Sequence, residues 1–222
     1  MIDNERNHQQ VLESFLLELN RNPTNPFVLK GGTALMMCFG LDRLSVDLDF
    51  DATGSARDIH KSRMYDAVDR FCNERGYSYR VGKDTDTVYR CFIRYQEENI
   101  SPLKIEVSFR NVELDKSTII SINGILVYDL NTLTQMKAAA YLQRDKVRDL
   151  YDLTFMAEHH FKDFSKETIH FIKRAFEYKS LEQFDYMIRT QPDPYVDTDI
   201  LETRFLLTFS KLGLLEPDSA RT

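Results

Sequence analysis

Cysteine is scarce, long apolar runs are missing and positive charge is in the minority, and each shortage removes a class of protein. Cys38, Cys72 and Cys91 form no CxxC pair and have no histidine at ligand spacing. That argues against a disulfide framework and a structural zinc site, and predicts free thiols in a reducing compartment. Nowhere do 18 consecutive apolar residues occur, and the opening MIDNERNHQQ has no apolar stretch of the signal-peptide kind. The expectation is a cytoplasmic protein with no membrane partner. With 29 Lys and Arg against 35 Asp and Glu, the formal net charge is −6. There is no global basic field of the sort that dominates non-specific DNA binding. What is present is ample core material: 222 residues, 42% of them hydrophobic, suit one large domain or two lobes.

The first half reads as mixed α/β. Val11, Leu12, Phe15, Leu16 and Leu19 recur at helical spacing, predicting a helix over 7–20 that stops at RNPTNP. FVLK predicts a short strand, GGTALMMCFG a turn and short helix closed by Gly40, and LSVDLDFD a strand of strict alternation. A helix over 56–75 ending at Gly76 follows, then strands near 77–82, 87–96 and 103–110. Asn123-Gly124 predicts a type I′ hairpin turn. From Asn131 onward the periodicity is helical, interrupted at 191–199 by QPDPYVDTD, so the expected division is 1–130 and 131–222. The tail LEPDSART is expected to fray.

The stretch KGGTALMMCFGLDRLSVDLDFD carries the chemistry. On a strand, residues two apart share a face, so Arg43, Ser45, Asp47, Asp49 and Asp51 would line one side, with Val46, Leu48 and Phe50 turned to the core. Asp47 and Asp49 would lie about 7 Å apart at Cα, repelling each other until a divalent cation draws them together. Carboxylate oxygens are hard ligands suited to Mg²⁺, with Mn²⁺ the other candidate. In PLKIEVSF, Glu106 projects with Lys104 and Ser108, opposite Ile105, Val107 and Phe109. If that strand lies beside 46–51, the three acids could hold two ions about 3.5–4 Å apart, as in-line phosphoryl chemistry requires. Gly31 and Gly32 let backbone approach a ligand, and Thr33 would cap a helix whose amides face an anion such as a triphosphate. A tight strand-to-helix turn is the plainer account of the glycines, as a solvated strand face is of DxD.

GGTAL, RLSVDLDF, KIEV and KAAAYLQRDKVRDLYDL, in that order over residues 27–160, resemble the AbiEii abortive-infection nucleotidyltransferase toxins, a group that includes the MenT toxins. The resemblance implies an α+β, DNA polymerase β-like nucleotidyltransferase fold: a mixed sheet flanked by helices, with a C-terminal helical lobe. It implies transfer of a nucleoside monophosphate from an NTP to an RNA (tRNA) or protein acceptor, with a cognate antitoxin. It makes Asp47, Asp49 and Glu106 metal ligands and places Gly32, Thr33, Ser45 and Arg43 on the triphosphate. Lys137 becomes a phosphate contact, Arg148 a contact to nucleotide or acceptor, and Asp149 and Asp152 either orient these cations or take part directly. Lys137, Tyr141, Arg144, Arg148 and Asp152 form one stripe if their helix runs unbroken, while Arg148 and Asp152 also fit an ordinary i,i+4 surface pair. Glu at 106 departs from the Asp of the pattern: it reaches further and leaves metal ligand or general base open. Asp51 is assigned to solvent, and the five histidines to polar helix positions without partners.

Two other readings compete with a tRNA-modifying toxin. One keeps the chemistry and replaces the acceptor by a small molecule such as an aminoglycoside, which the acidic total favours. The other is a catalytically silent binding module, against which the retained carboxylates argue. For an RNA acceptor, FIKRAFEYK at 171–179 offers a modest basic patch.

Overall fold

A computed structural model describes residues 3–22, 24–96, 101–178 and 181–215. Pro23, most of the tail expected to fray and Lys179 of the basic patch lie outside the described residues. The chain divides into two compact units, Met1–Cys38 with Leu44–Tyr128, and Phe39–Arg43 with Asp129–Thr222.

The first unit contains α1 (Asp3–Asn20), β1 (Val28–Lys30), α2 (Gly31–Phe39, ending in the second unit), β2 (Asp47–Asp51), α3 (Arg57–Arg75), β3 (Ser78–Asp84), β4 (Val88–Arg94), β5 (Leu103–Ser108), β6 (Ile119–Ile122) and β7 (Ile125–Tyr128). These strands make a mixed sheet of order β3-β4-β5-β2-β1-β7-β6, in which β2 runs parallel to β5 and β1 to β7. Period-two alternation decides the two faces. Leu48, Phe50, Ile105, Val107, Cys91 and Ile93 are buried on the face covered by α1 and α3, whose Phe15 and Phe71 rings meet edge to face at 5.2 Å. The opposite face carries the aspartates. Gly76 ends α3 in the left-handed conformation, and Asn123 and Gly124 both take positive φ, as a type I′ turn demands. Cys38, Cys72 and Cys91 are free thiols, and burial pushes Cys38 and Cys72 up to about 11.

The second unit holds α4 (Leu130–Arg144), α5 (Val147–His160), α6 (Lys166–Tyr178), α7 (Leu181–Thr190) and α8 (Thr198–Lys211). Asp129 and Asp197 cap α4 and α8 by accepting bonds from backbone amides of the first turn. Its core includes Phe176, Phe184 and Phe205, with centroids 3.9 Å apart for Phe184 and Phe205. The helix does not run unbroken from Lys137 to Asp152, so the condition for a single stripe is not met. Asp145 adopts φ 49°, ψ 47° and closes α4 by donating its N–H to the Tyr141 carbonyl, and α5 starts in a new direction at Val147. Aspartate tolerates the left-handed region better than most residues, so a chain break hides inside an apparently continuous periodicity.

Candidate active site

In the first unit, β1 runs directly into α2, and β2 and β5 lie side by side in parallel register, Asp47 opposite Lys104 and Asp49 opposite Glu106. Directly paired residues project from the same face, so Asp47, Asp49 and Glu106 share one surface. Gly31 has φ +77°, and a Cβ built on it would stand 3.4 Å from Asp49 Oδ2. The glycine bend and the carboxylates are therefore neighbours.

Each carboxylate is turned to a cation. Lys104 Nζ lies 2.8 Å from Asp47 Oδ2 and 3.4 Å from Asp49 Oδ1, and Arg90 Nε donates to Glu106 Oε2 at 2.6 Å. Burial pushes the Asp49 carboxyl above its usual range; Lys104 opposes this, and the charges of Asp47 and Glu106 add to it. Among the described residues, no three His, Cys, Asp or Glu side chains are gathered closely enough to form a ready-made ion cage. The donor chemistry nonetheless fits a hard divalent cation, because an all-oxygen set with mutual repulsion lines one surface beside a backbone that a ligand can approach. Neither Arg90 nor Lys104 is among the site residues expected from the sequence. The signal was there for Lys104, two residues from Glu106 on the same strand.

Several expectations of local structure change. Thr33 does not cap α2, which begins at Gly31. Its hydroxyl donates to the Asp47 carbonyl at 2.5 Å and lies 2.9 Å from Ser45 Oγ, which, with that single proton used, donates to Thr33. Thr33 and Ser45 thus fasten the start of β2. Asp51 is buried rather than solvated, accepting from Lys30 Nζ at 2.5 Å and from the Tyr128 hydroxyl at 3.0 Å. His8 is partnered, its ring nitrogens 2.5 Å from the Tyr95 hydroxyl and 2.8 Å from the Val46 carbonyl. His160 reaches the Phe39 carbonyl at 3.1 Å.

In the second unit a network of cations forms around two buried aspartates. Arg43 precedes β2 instead of extending it, and its guanidinium holds Asp152 in a two-point bond at 2.6 and 2.8 Å. Lys137 Nζ lies 2.6 Å from Asp152 Oδ2 and 3.2 Å from Asp149 Oδ1, while Arg144 holds Asp149 at 2.7 and 2.9 Å. Burial would raise the Asp149 carboxyl, but the bonds from Arg144 and the charge of Lys137 overcome it and hold it below the ordinary range. Arg148 and Asp152 are not an i,i+4 pair: Arg148 bonds Asp193, with the Tyr195 ring 5.1 Å from its guanidinium carbon. On α6, Lys173 lies 4.0 Å from Glu177, so the basic patch expected there is partly neutralised.

The model of the AbiEii nucleotidyl transferase toxins of type IV toxin–antitoxin systems matches residues 15–218. No curated protein matches the chain. Among solved structures, JHP933 from Helicobacter pylori is 25% identical with a TM-score of 0.74, covering 96% of this chain and 95% of its own. A second Helicobacter pylori protein, described as a candidate nucleotidyltransferase, is 25% identical at a TM-score of 0.72, covering 98% of this chain and 100% of its own. MenT4, a nucleotidyltransferase toxin from Mycobacterium tuberculosis, shares the fold at 18% identity and a TM-score of 0.55, over 98% and 87% of the two chains. With the family matched across nearly its whole length, and parallel strands setting carboxylates against a glycine bend, the chain belongs to the AbiEii family of nucleotidyltransferase toxins.

Proposed function

We propose that this nucleotidyltransferase moves a nucleoside monophosphate from an NTP to an RNA acceptor, tRNA foremost, with Mg²⁺ as cofactor, as the toxin of an AbiE-type pair restrained by a cognate antitoxin. The observation that carries the reading is the cross-strand pairing of Asp49 with Glu106, two residues on from Asp47 and against the Gly31 backbone. Asp47, Asp49 and Glu106 would hold the divalent ions, which when bound polarise the triphosphate and lower the barrier to losing pyrophosphate. The acceptor hydroxyl oxygen forms the new bond to the α-phosphorus as the bond to pyrophosphate breaks. A carboxylate of the trio accepts the hydroxyl proton. The Gly31–Gly32 backbone leaves room for the phosphates. Lys137, held by Asp149 and Asp152, is the phosphate-binding cation of the second unit, and Arg148 a contact to nucleotide or acceptor.

The test is transfer of label from each α-labelled NTP, with Mg²⁺, onto total RNA by the full chain. Asp49→Asn should lower it at least 100-fold, because loss of a metal's outer-shell partner alone lowers affinity or activity by about 10–100-fold. Label on no RNA with any NTP, or an Asp49→Asn enzyme as fast as wild type, would overturn the reading.

A further inference from the structure

The sheet register shows what else shares the carboxylate face. Across neighbouring strands Asp47 lies opposite Lys104, Lys104 opposite Phe92, and Phe92 opposite Arg80. The next row runs Asp49, Glu106, Arg90, Lys83, and Arg94 pairs with Ser78. Directly opposed residues point the same way, so Arg80, Lys83, Arg90, Arg94 and Phe92 all project from the surface that carries Asp47, Asp49 and Glu106. Arg90 is committed to Glu106. Arg80, Lys83 and Arg94 are exposed and, among the described residues, enter no ion pair. Three uncompensated cations along one strip stand out in a chain whose net charge is −6.

The strip also has a built aromatic element. The Arg80 guanidinium carbon sits 4.2 Å from the Phe92 ring centroid. A Cβ at Gly82, inside the β3 bulge between Val81 and Lys83, would stand 2.4 Å from the Phe92 ring, so the ring occupies space that only glycine leaves open. Ser78, Arg80, Phe92, Arg94 and Pro102 line a groove there. Charge on an edge strand also deters edge-to-edge pairing, but that role asks for neither the stacked ring nor alignment with the carboxylates.

We propose that this strip docks the single-stranded end of the RNA acceptor, its phosphates on Arg80, Lys83 and Arg94, a base against the Arg80–Phe92 stack, and its terminal hydroxyl directed to the carboxylates. A basic track interleaved with an aromatic platform is the arrangement that single-stranded nucleic acid selects. Three strand spacings of about 4.8 Å, roughly 14 Å in all, separate β3 from β2, within reach of a short unpaired end. The inference rests on the RNA-acceptor reading above and adds where that RNA binds.

The experiment is fluorescence anisotropy of a fluorescein-labelled 12-nucleotide single-stranded RNA with the full chain. The variant Arg80→Glu/Lys83→Glu/Arg94→Glu should bind at least tenfold more weakly, and the slope of log affinity against log salt should fall in magnitude by about 2, near 0.7 for each of three contacts. Phe92→Ala should weaken binding by roughly fivefold or more. The Arg80→Lys/Arg94→Lys pair should retain most of the affinity, and calorimetric NTP affinity monitors the carboxylate site separately. If the glutamate variant is unfolded by circular dichroism, the corresponding triple glutamine variant makes the same comparison. Wild-type binding matched by the charge variant overturns the strip and leaves the RNA reading standing. Wild type that binds no RNA and labels a protein or small molecule instead overturns both.

Discussion

Gly31 stands in the left-handed region beside Asp49, so it is constrained twice, by conformation and by proximity. An L-residue there is expected to lose about 1–2 kcal/mol from the backbone alone. Gly31→Ala should therefore lower the unfolding free energy measured in urea by that amount, while Gly31→Val, whose γ-carbons project further toward the carboxylate, should also depress NTP binding. Equal NTP affinity in both variants would show that the bend is a turn and nothing more. Asp51 teaches the opposite lesson about the same motif. Strand alternation placed it beside Asp47 and Asp49, yet its neighbours Lys30 and Tyr128 arrive from β1 and β7, which no local pattern announces. Tyr128→Phe removes a bond to a buried carboxylate and should cost about 1.5–3 kcal/mol in denaturant unfolding without changing nucleotide affinity.

At the scale of elements, what depends on nearest neighbours was legible and what depends on long-range partners was not. The alternation of VDLDF and KIEV set the faces of β2 and β5, and the glycines at 40, 76 and 124 marked ends and a turn, because each is a local steric requirement. The helix break at Asp145 was hidden, since no glycine or proline stands there and apolar spacing continues through it. That break folds α5 back so that Asp149 meets Lys137 and Arg144, a contact that the single-stripe reading could not contain. It also predicts a pH dependence. The folded Asp149 carboxyl is held below its ordinary 3.8, so its contribution to stability is complete above the unfolded value and is lost as pH falls through the folded one. The stability advantage of wild type over Asp149→Asn should be constant from neutral pH down to about 5 and shrink below 3.8. An advantage unchanged at pH 3, measured by thermal unfolding, would mean that the arginine and lysine bonds do not hold the charge.

For the molecule as a whole, the composition shift near residue 130 is visible in the sequence, but the five residues Phe39–Arg43 belong with the helices that begin 90 residues later. Nothing in a linear pattern assigns them so; buried Leu41 and two polar contacts tie them there. Arg43 supplies the two-point bond to the fully buried Asp152, and Asp42 accepts from Arg204 at 2.7 and 3.1 Å and from the Tyr151 hydroxyl at 2.9 Å. A fragment comprising 129–222 would keep every helix of the second unit and lose both partners. Removing one member of a buried ion pair typically costs about 3–5 kcal/mol, a large share of the roughly 5–15 kcal/mol that holds a domain folded. The isolated fragment is thus expected to be helical by circular dichroism but without cooperative thermal unfolding, whereas the full chain unfolds cooperatively. In the full chain, Arg43→Met should lower stability more than Asp42→Asn, because Asp152 is buried while the Asp42 side chain is 39% exposed. A fragment 129–222 with a sharp unfolding transition would show that the helical lobe does not depend on the two residues its sequence leaves behind.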